Sequence, residues 1–187
     1  MIRQRSAFVM IRHGQTDANR NQIIAGRLEA QLTSEGRAAA ARLADWPWPG
    51  EIALFASPQA RARDTAALAF PGRPAVIIAA LRERDWGHFE GRPVAELPDR
   101  AATPAGGEAW PAMLERVGAA VDQALQAAGD RLPVLVAHSG VIRAVRQLGG
   151  GTPHGASPPN TTPLLFAPAA SGWQEKTLTE KDLPWIA

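Results

Sequence analysis

The sequence predicts an α/β protein, a three-layer α/β/α sandwich built on a doubly wound, mostly parallel sheet with an antiparallel edge. Three observations carry that expectation. Strongly apolar runs at Phe8–Ile11 and Val134–Ala137 each break off into a polar cluster, Arg12-His13-Gly14 and His138-Ser139-Gly140, as buried parallel strands do. Segments with apolar residues at helical spacing lie between such runs, the alternation that gives a parallel sheet covered on both sides. The closing stretches, Pro163–Ala167 and Gly172–Leu178, read as a hairpin and supply the antiparallel edge.

After the first strand, Ser34–Ala44 is expected to be helical, with Glu35 in the first turn, where the helix dipole favours a carboxylate. Ile52–Ala56 is the next strand. Ser57 and Pro58 behind it read as an N-cap and a first helical residue, so a helix is expected over 58–69. Residues 87–107 are rich in Pro and Gly and lack periodicity; they read as a lid-like excursion over the sheet's carboxyl edge, leaving 1–187 as one domain. Met113, Leu114, Val117, Val121 and Leu125 recur at helical spacing within Glu108–Ala128, and a shorter helix, Val141–Leu148, ends at Gly149-Gly150-Gly151. A second Gly/Pro-rich loop covers 149–163.

With 187 residues the chain can bury roughly two thirds of the surface its unfolded form exposes. The absence of Cys excludes disulfides, thiolate metal sites and a cysteine nucleophile. The isoelectric point of about 9.9 is a poor guide to partners. Net charge is only +2, from 20 basic and 18 acidic residues; with no Cys or Tyr to titrate, a small arginine excess persists to high pH. The only lysines are Lys176 and Lys181 and the arginines are scattered, so nucleic acid is not an expected partner. Arg3 and Arg5 precede only five apolar residues, fewer than the about 7 to 15 of a secretory leader. No run approaches a membrane span, so a soluble cytoplasmic protein is expected. The pattern gives no reading of oligomeric state.

If the three strands end at one edge, Arg12, His13, Arg61 and His138 converge where α/β folds place ligands. That is the composition of a phosphate pocket. A phosphoryl group in transfer keeps charge on its equatorial oxygens, which fixed cations and N–H groups stabilise without a metal. A histidine can attack phosphorus, an arginine can grip phosphate through paired donors, and Gly14 would let the backbone turn close to the ligand.

Four blocks in order resemble the histidine phosphatase superfamily, also called phosphoglycerate mutase-like. They are Arg12-His13-Gly14-Gln15-Thr16 with Asn19; Ser57-Pro58-Gln59-Ala60-Arg61-Ala62 with Thr65-Ala66; Leu81–Gly91, carrying Glu83; and Val136–Arg143 around His138. Asn160 resembles a weaker signal beyond them. The chain departs from the family pattern at Glu29 and Gln31, where Asp and Pro are usual, and at Ser139, where Gly is commoner. Gly26-Arg27, Phe89-Glu90-Gly91 and Gly106-Gly107-Glu108 resemble the α-ribazole phosphatases within the phosphatase branch.

The resemblance implies a cofactor-free, metal-independent phosphomonoester hydrolase whose partner is a small phosphorylated metabolite. In it His13 becomes a phosphohistidine, Glu83 is the acid, and Arg12, Arg61 and His138 hold phosphate. Thr16 and Asn19 either touch phosphate or shape the loop, and Ser139 either reaches the pocket or serves the turn. Asp85 and Glu90 are alternative acids, and Glu83 could instead pair with Arg82 or Arg84. Trp86, Phe89 and Trp110 either line the leaving-group side or pack; His88 and His154 read as loop residues with no metal-ligand spacing to His13 or His138. One alternative function is a cofactor-dependent phosphoglycerate mutase, against which the region after Glu83 is short, with Arg92 and Arg100 its only bases. The other is a non-catalytic binder of phosphorylated ligands, which would need neither nucleophile nor acid.

Overall fold

Six strands form one sheet in the order β3-β2-β4-β1-β5-β6. This computed structural model describes residues 6–170 and 172–185; Arg3 and Arg5 lie outside them. β1 (Phe8–Arg12), β2 (Ile52–Ala56), β3 (Val76–Ile77) and β4 (Leu132–Ala137) run parallel, while β5 (Pro163–Ala169) pairs antiparallel with β1, and β6 (Gly172–Thr177) with β5.

Side chains alternate across a pleated strand, so each strand feeds two cores. Val9, Ile11, Leu54, Ala56, Val134 and Val136 pack on one face, against α3 (Ala60–Ala69) and Leu43, which follows α2 (Ser34–Arg42). Phe8, Met10, Phe55 and Leu135 pack on the other, against α4 (Trp110–Ala128) and α5 (Ser139–Leu148). Met113, Val117 and Val121 are fully buried there, with Leu114 and Leu125 at the margin.

Several boundaries differ from the sequence expectation. α3 begins at Ala60 with Gln59 at the cap, not at Pro58 behind Ser57. α2 ends at Arg42 and tightens into a 3₁₀ turn, Leu43–Asp45. α4 starts two residues later than expected, and α5 two residues earlier. Two elements gave no periodic signal because they are too short: β3, whose Val76 and Ile77 lie at the exposed edge, and a one-turn helix, α1 (Asp17–Arg20). The 87–107 excursion contains two 3₁₀ turns, Gly87–Phe89 and Val94–Glu96.

Register positions the site. Arg12 pairs with Ala137 and Ala56 with Val136, so His13, His138 and Ser57 leave three adjacent strands side by side. β4 and β1 lie at the centre of the sheet, at the carboxyl edge where open α/β sheets bind ligands.

Candidate active site

His13 is 5% exposed. Its Nδ1 lies 2.8 Å from Gly14 O; a carbonyl only accepts, so Nδ1 carries the proton and the lone pair is on Nε2. The backbone is fixed as well: His13 N donates to Ala137 O at 3.0 Å, and Asn160 Nδ2 donates to His13 O at 2.7 Å. Burial, reinforced by Arg61 and Arg12, pushes the imidazole pKa well below its usual value, so the ring is neutral at neutral pH. Gly14 does not turn toward a ligand as the sequence suggested. It faces α2, where a Cβ would sit 2.6 Å from Gly36 O, and its N–H donates to Thr65 Oγ1 at 2.9 Å.

A cavity of about 230 Å³ opens on His13, and its charged lining is Arg12, Arg61, Arg100, Arg143 and Glu83. Arg61 is 2% exposed and donates to the carbonyls of Leu28, Ala25 and Gly26 at 2.8 to 3.1 Å. Arg12 Nη1 donates to Pro158 O at 2.9 Å and Ser157 Oγ at 3.2 Å, while its Nε is buried without a partner among the described residues. Burial lowers the pKa of both guanidiniums, and Glu83 opposes the shift. His138 is not on the cavity surface. It is fully buried, its ring centroid 5.2 Å from that of His13, with Nε2 2.7 Å from Ser57 Oγ and Nδ1 unpartnered among the described residues. Burial and then Arg61 push its pKa down as well. Ser57 Oγ is shared: besides meeting His138 it accepts Gln59 N at 3.4 Å, so it serves the turn that leads into α3 while Gln59 takes the cap position.

Glu83 also lines this cavity. Its Oε1 accepts Arg84 N at 2.8 Å and its Oε2 accepts Gly140 N at 2.9 Å, and a Cβ on Gly140 would collide with the carboxylate. The ion pair with Arg82 or Arg84 does not form: Arg82 pairs with Glu108 at 3.3 Å, and Arg84 donates to the carbonyls of Glu108, Arg100 and Ala102. Neither alternative acid reaches the cavity. Asp85 accepts Gly87 N and pairs with Arg27 at 3.6 Å. Glu90 accepts the backbone N–H groups of Gly26, Arg27, Leu28 and Trp86. Glu83 alone of the three lines the cavity with His13.

Thr16 and Asn19 both line the cavity and also form a reciprocal capping box on α1, at 3.1 Å each way, so they shape the loop. Ser139 lines it too, with Oγ 3.0 Å from Ser157 Oγ. Of the three aromatics, only Trp86 faces the cavity. Trp110 Nε1 donates to Gln147 Oε1 at 2.7 Å, and Phe89 lies under Arg92. His88 and His154 are exposed loop residues. No metal-holding cluster of His, Cys, Asp and Glu occurs among the described residues, and no helix there is long and apolar enough to cross a membrane. The sequence reading assigned no role to two lining cations, Arg100 and Arg143. Arg143 donates to Pro153 O and Gly155 O, and burial followed by Arg100, Arg146 and Arg12 lowers its pKa to about 10. Arg143 stood in a recognised block, but its neighbours come from a loop without periodicity; Arg100 stood in the excursion, where only the fold reveals proximity.

Fold and site together define an α/β protein with an arginine-lined cavity at the carboxyl edge of its sheet, built around a neutral imidazole. The family model for the histidine phosphatase superfamily (branch 1) matches residues 8–161, and the chain belongs to that superfamily. It is 31% identical over 158 residues to a metal-independent phosphoserine phosphatase of Arabidopsis thaliana, covering 74% of this chain and 66% of that one. Across the curated relatives it matches, the chain spans between 44% and 80% of their length. Its structure is similar to one described as phosphoglycerate mutase from Thermus thermophilus, at TM-score 0.74 and 30% identity, covering 92% of this chain and 98% of that one. A putative alpha-ribazole-5'-P phosphatase from Escherichia coli shares the fold at TM-score 0.78 and 23% identity, with 94% and 96% covered.

Proposed function

We propose that the chain is a metal-independent phosphomonoesterase that acts on a small phosphorylated metabolite through a phosphohistidine on His13. One observation carries the reading. Nδ1 of His13 is committed to Gly14 O, which leaves a neutral Nε2 in a cavity that holds guanidiniums and a single carboxylate. Nε2 attacks phosphorus, the P–O bond to the alcohol breaks, and Glu83 delivers its proton to the departing oxygen. Water then attacks the phosphohistidine, Glu83 takes the proton back, inorganic phosphate leaves, and His13 returns to its neutral form.

Arg12 and Arg61 stabilise the charge on the transferring group throughout. The buried, unpartnered Nε of Arg12, a residue that lines the cavity, is the kind of orphaned polar atom that a phosphoryl group satisfies. The relative named as metal-independent supports the absence of a metal step. The likeness to a phosphoglycerate mutase keeps one second reading in view, in which the phosphoenzyme rephosphorylates a product. Phosphomonoester turnover in the presence of chelator, with acid-labile phosphate trapped on the enzyme, tests the proposal. Turnover only after metal is added overturns it, and isomerisation of a phosphoglycerate outpacing phosphate release establishes the mutase.

A further inference from the structure

Glu83 lies outside every strand and helix. Both oxygens of its carboxylate accept backbone N–H groups, those of Arg84 and Gly140, but a carboxylate is only as well placed as the backbone behind it. That backbone has two holds. Glu83 O accepts Arg116 Nη2 at 3.3 Å, and Glu83 N donates to Gln59 Oε1 at 2.8 Å. The second is the shorter, and it leads to the helix that carries Arg61.

Gln59 is 7% exposed, and both ends of its amide are used: Nε2 donates to Gly26 O at 2.6 Å while Oε1 accepts Glu83 N. The chemistry fixes this orientation, because a carbonyl can only accept and a backbone N–H can only donate. Gly26 O is a shared acceptor that also takes Arg61 Nη2 at 2.8 Å. Gly26 is itself held, with its N–H on Glu90 Oε2 at 3.0 Å and no room for a Cβ, which would collide with Arg84 O and the Glu90 carboxylate. The main chain of Gln59 starts α3, since Ala62 N and Arg63 N donate to Gln59 O at 3.0 and 3.2 Å. One residue therefore begins the helix that bears Arg61, meets the Arg61 guanidinium at a common carbonyl, and holds the main chain of Glu83. Gln59 lines not the cavity that opens on His13 but an adjoining one, of about 390 Å³, which shares Glu83 with it.

We propose that Gln59 is a positioning residue for Glu83: its amide sets the carboxyl group at a fixed place relative to the arginine that grips the phosphoryl group. Proton delivery to a departing oxygen needs hydrogen-bond reach and alignment, so a loosened acid costs rate without any lost contact to substrate. This inference rests on the phosphomonoesterase reading of the same site, in which Glu83 is the acid.

The test compares phenyl phosphate with p-nitrophenyl phosphate, which differ little in shape and chiefly in how much the leaving oxygen needs a proton. Gln59→Met removes both contacts at nearly constant size. Gln59→Asn keeps an amide, and Asn suits a helix cap, but it is one methylene too short to span Gly26 O and Glu83 N. Both variants are expected to lower the ratio of kcat/KM for phenyl phosphate over p-nitrophenyl phosphate by about 3- to 10-fold, a fraction of what a lost acid costs. A ratio is insensitive to the fraction of folded enzyme, so partial misfolding does not mimic the result. In a Glu83→Gln background, Gln59→Met should leave the ratio where Glu83→Gln alone puts it, because the two changes act through one group. A further fall of the same size in that background, or a ratio that neither single variant moves, overturns the proposal. Phosphate trapped on His13 of the wild type from p-nitrophenyl phosphate separates the two failures. Trapping with an unmoved ratio removes the role of Gln59 and leaves the phosphomonoesterase reading; no trapping and no turnover removes that reading, and the role of Gln59 with it.

Discussion

The two walls of the cavity are built by different means. The wall of the proposed nucleophile, here the nucleophile wall, is made by strand register: β1, β4 and β2 end together, and His13, His138 and Ser57 follow from the pairing of Arg12 with Ala137 and Ala56 with Val136. The wall of the proposed acid, Glu83, here the acid wall, has almost no regular structure. Arg84, fully buried, holds the carbonyls of Arg100, Ala102 and Glu108; Glu90 gathers four backbone N–H groups; Arg116 ties the carbonyls of Ala80 and Arg82 and pairs with Glu108 at 2.5 Å. Backbone groups in such a loop must be satisfied somewhere, and here buried and half-buried charged side chains replace the ladder. One wall therefore depends on the sheet, whereas the other depends on a few individual side chains.

The largest predicted effect separates the walls by chemistry. His13→Ala should lower phosphate release by at least about a thousandfold, as loss of a nucleophile does, and abolish acid-labile phosphate on the enzyme. Near-normal turnover by this variant would remove the phosphohistidine. On the other wall, Glu83→Gln should depend on the leaving group. Alkyl phosphates, whose alkoxides need a proton, are expected to slow by about 10²- to 10⁴-fold, and p-nitrophenyl phosphate far less. Equal losses on both esters would take the acid role away from Glu83.

The same contrast explains what was legible in the sequence. Apolar runs ending in Arg12-His13 and His138 showed both the strands and their convergence, because register needs only periodicity and a shared edge. The anchoring of the imidazole on a backbone carbonyl is local and was foreseeable in kind. The acid wall was legible only as a resemblance around Glu83. That Arg84 is a buried strut, that Glu90 latches the 26–28 loop, and that Arg100 reaches the cavity depend on contacts across tens of residues without periodicity. Gly14 and Ser57 misled for a related reason: each sits in a local pattern with an ordinary meaning, a close turn and a helix cap, and each is used by a partner distant in sequence, Gly36 and His138.

Arg84→Met tests whether the acid wall can fail alone. Removing the guanidinium leaves three part-buried carbonyls without their donor, a loss of about 1 to 3 kcal/mol in unfolding free energy. Under conditions where the variant is still folded, it should lose activity toward alkyl phosphates more than toward p-nitrophenyl phosphate, as Glu83→Gln does, while still trapping phosphate on His13. Loss of the trapped phosphoenzyme in folded Arg84→Met would show that the walls are not separable.

The smallest effect is a pH dependence confined to the nucleophile wall. His13 and His138 both have pKa values held well below the usual 6.5 by burial, then by Arg61. Above that pH neither the folded nor the unfolded chain binds a proton at these positions, and nothing changes. Below it the unfolded chain takes up two protons that the folded chain refuses, so stability falls as pH drops through 6.5 toward the folded values. Between pH 7 and pH 6 the pair should remove about 1.4 kcal/mol, about half from each ring. Urea unfolding at the two pH values measures it, and a His13→Asn, His138→Asn double variant should be flatter by that amount. An unchanged slope in the double variant would mean that the rings are not held neutral, and with that the lone pair on Nε2 would lose its physical basis.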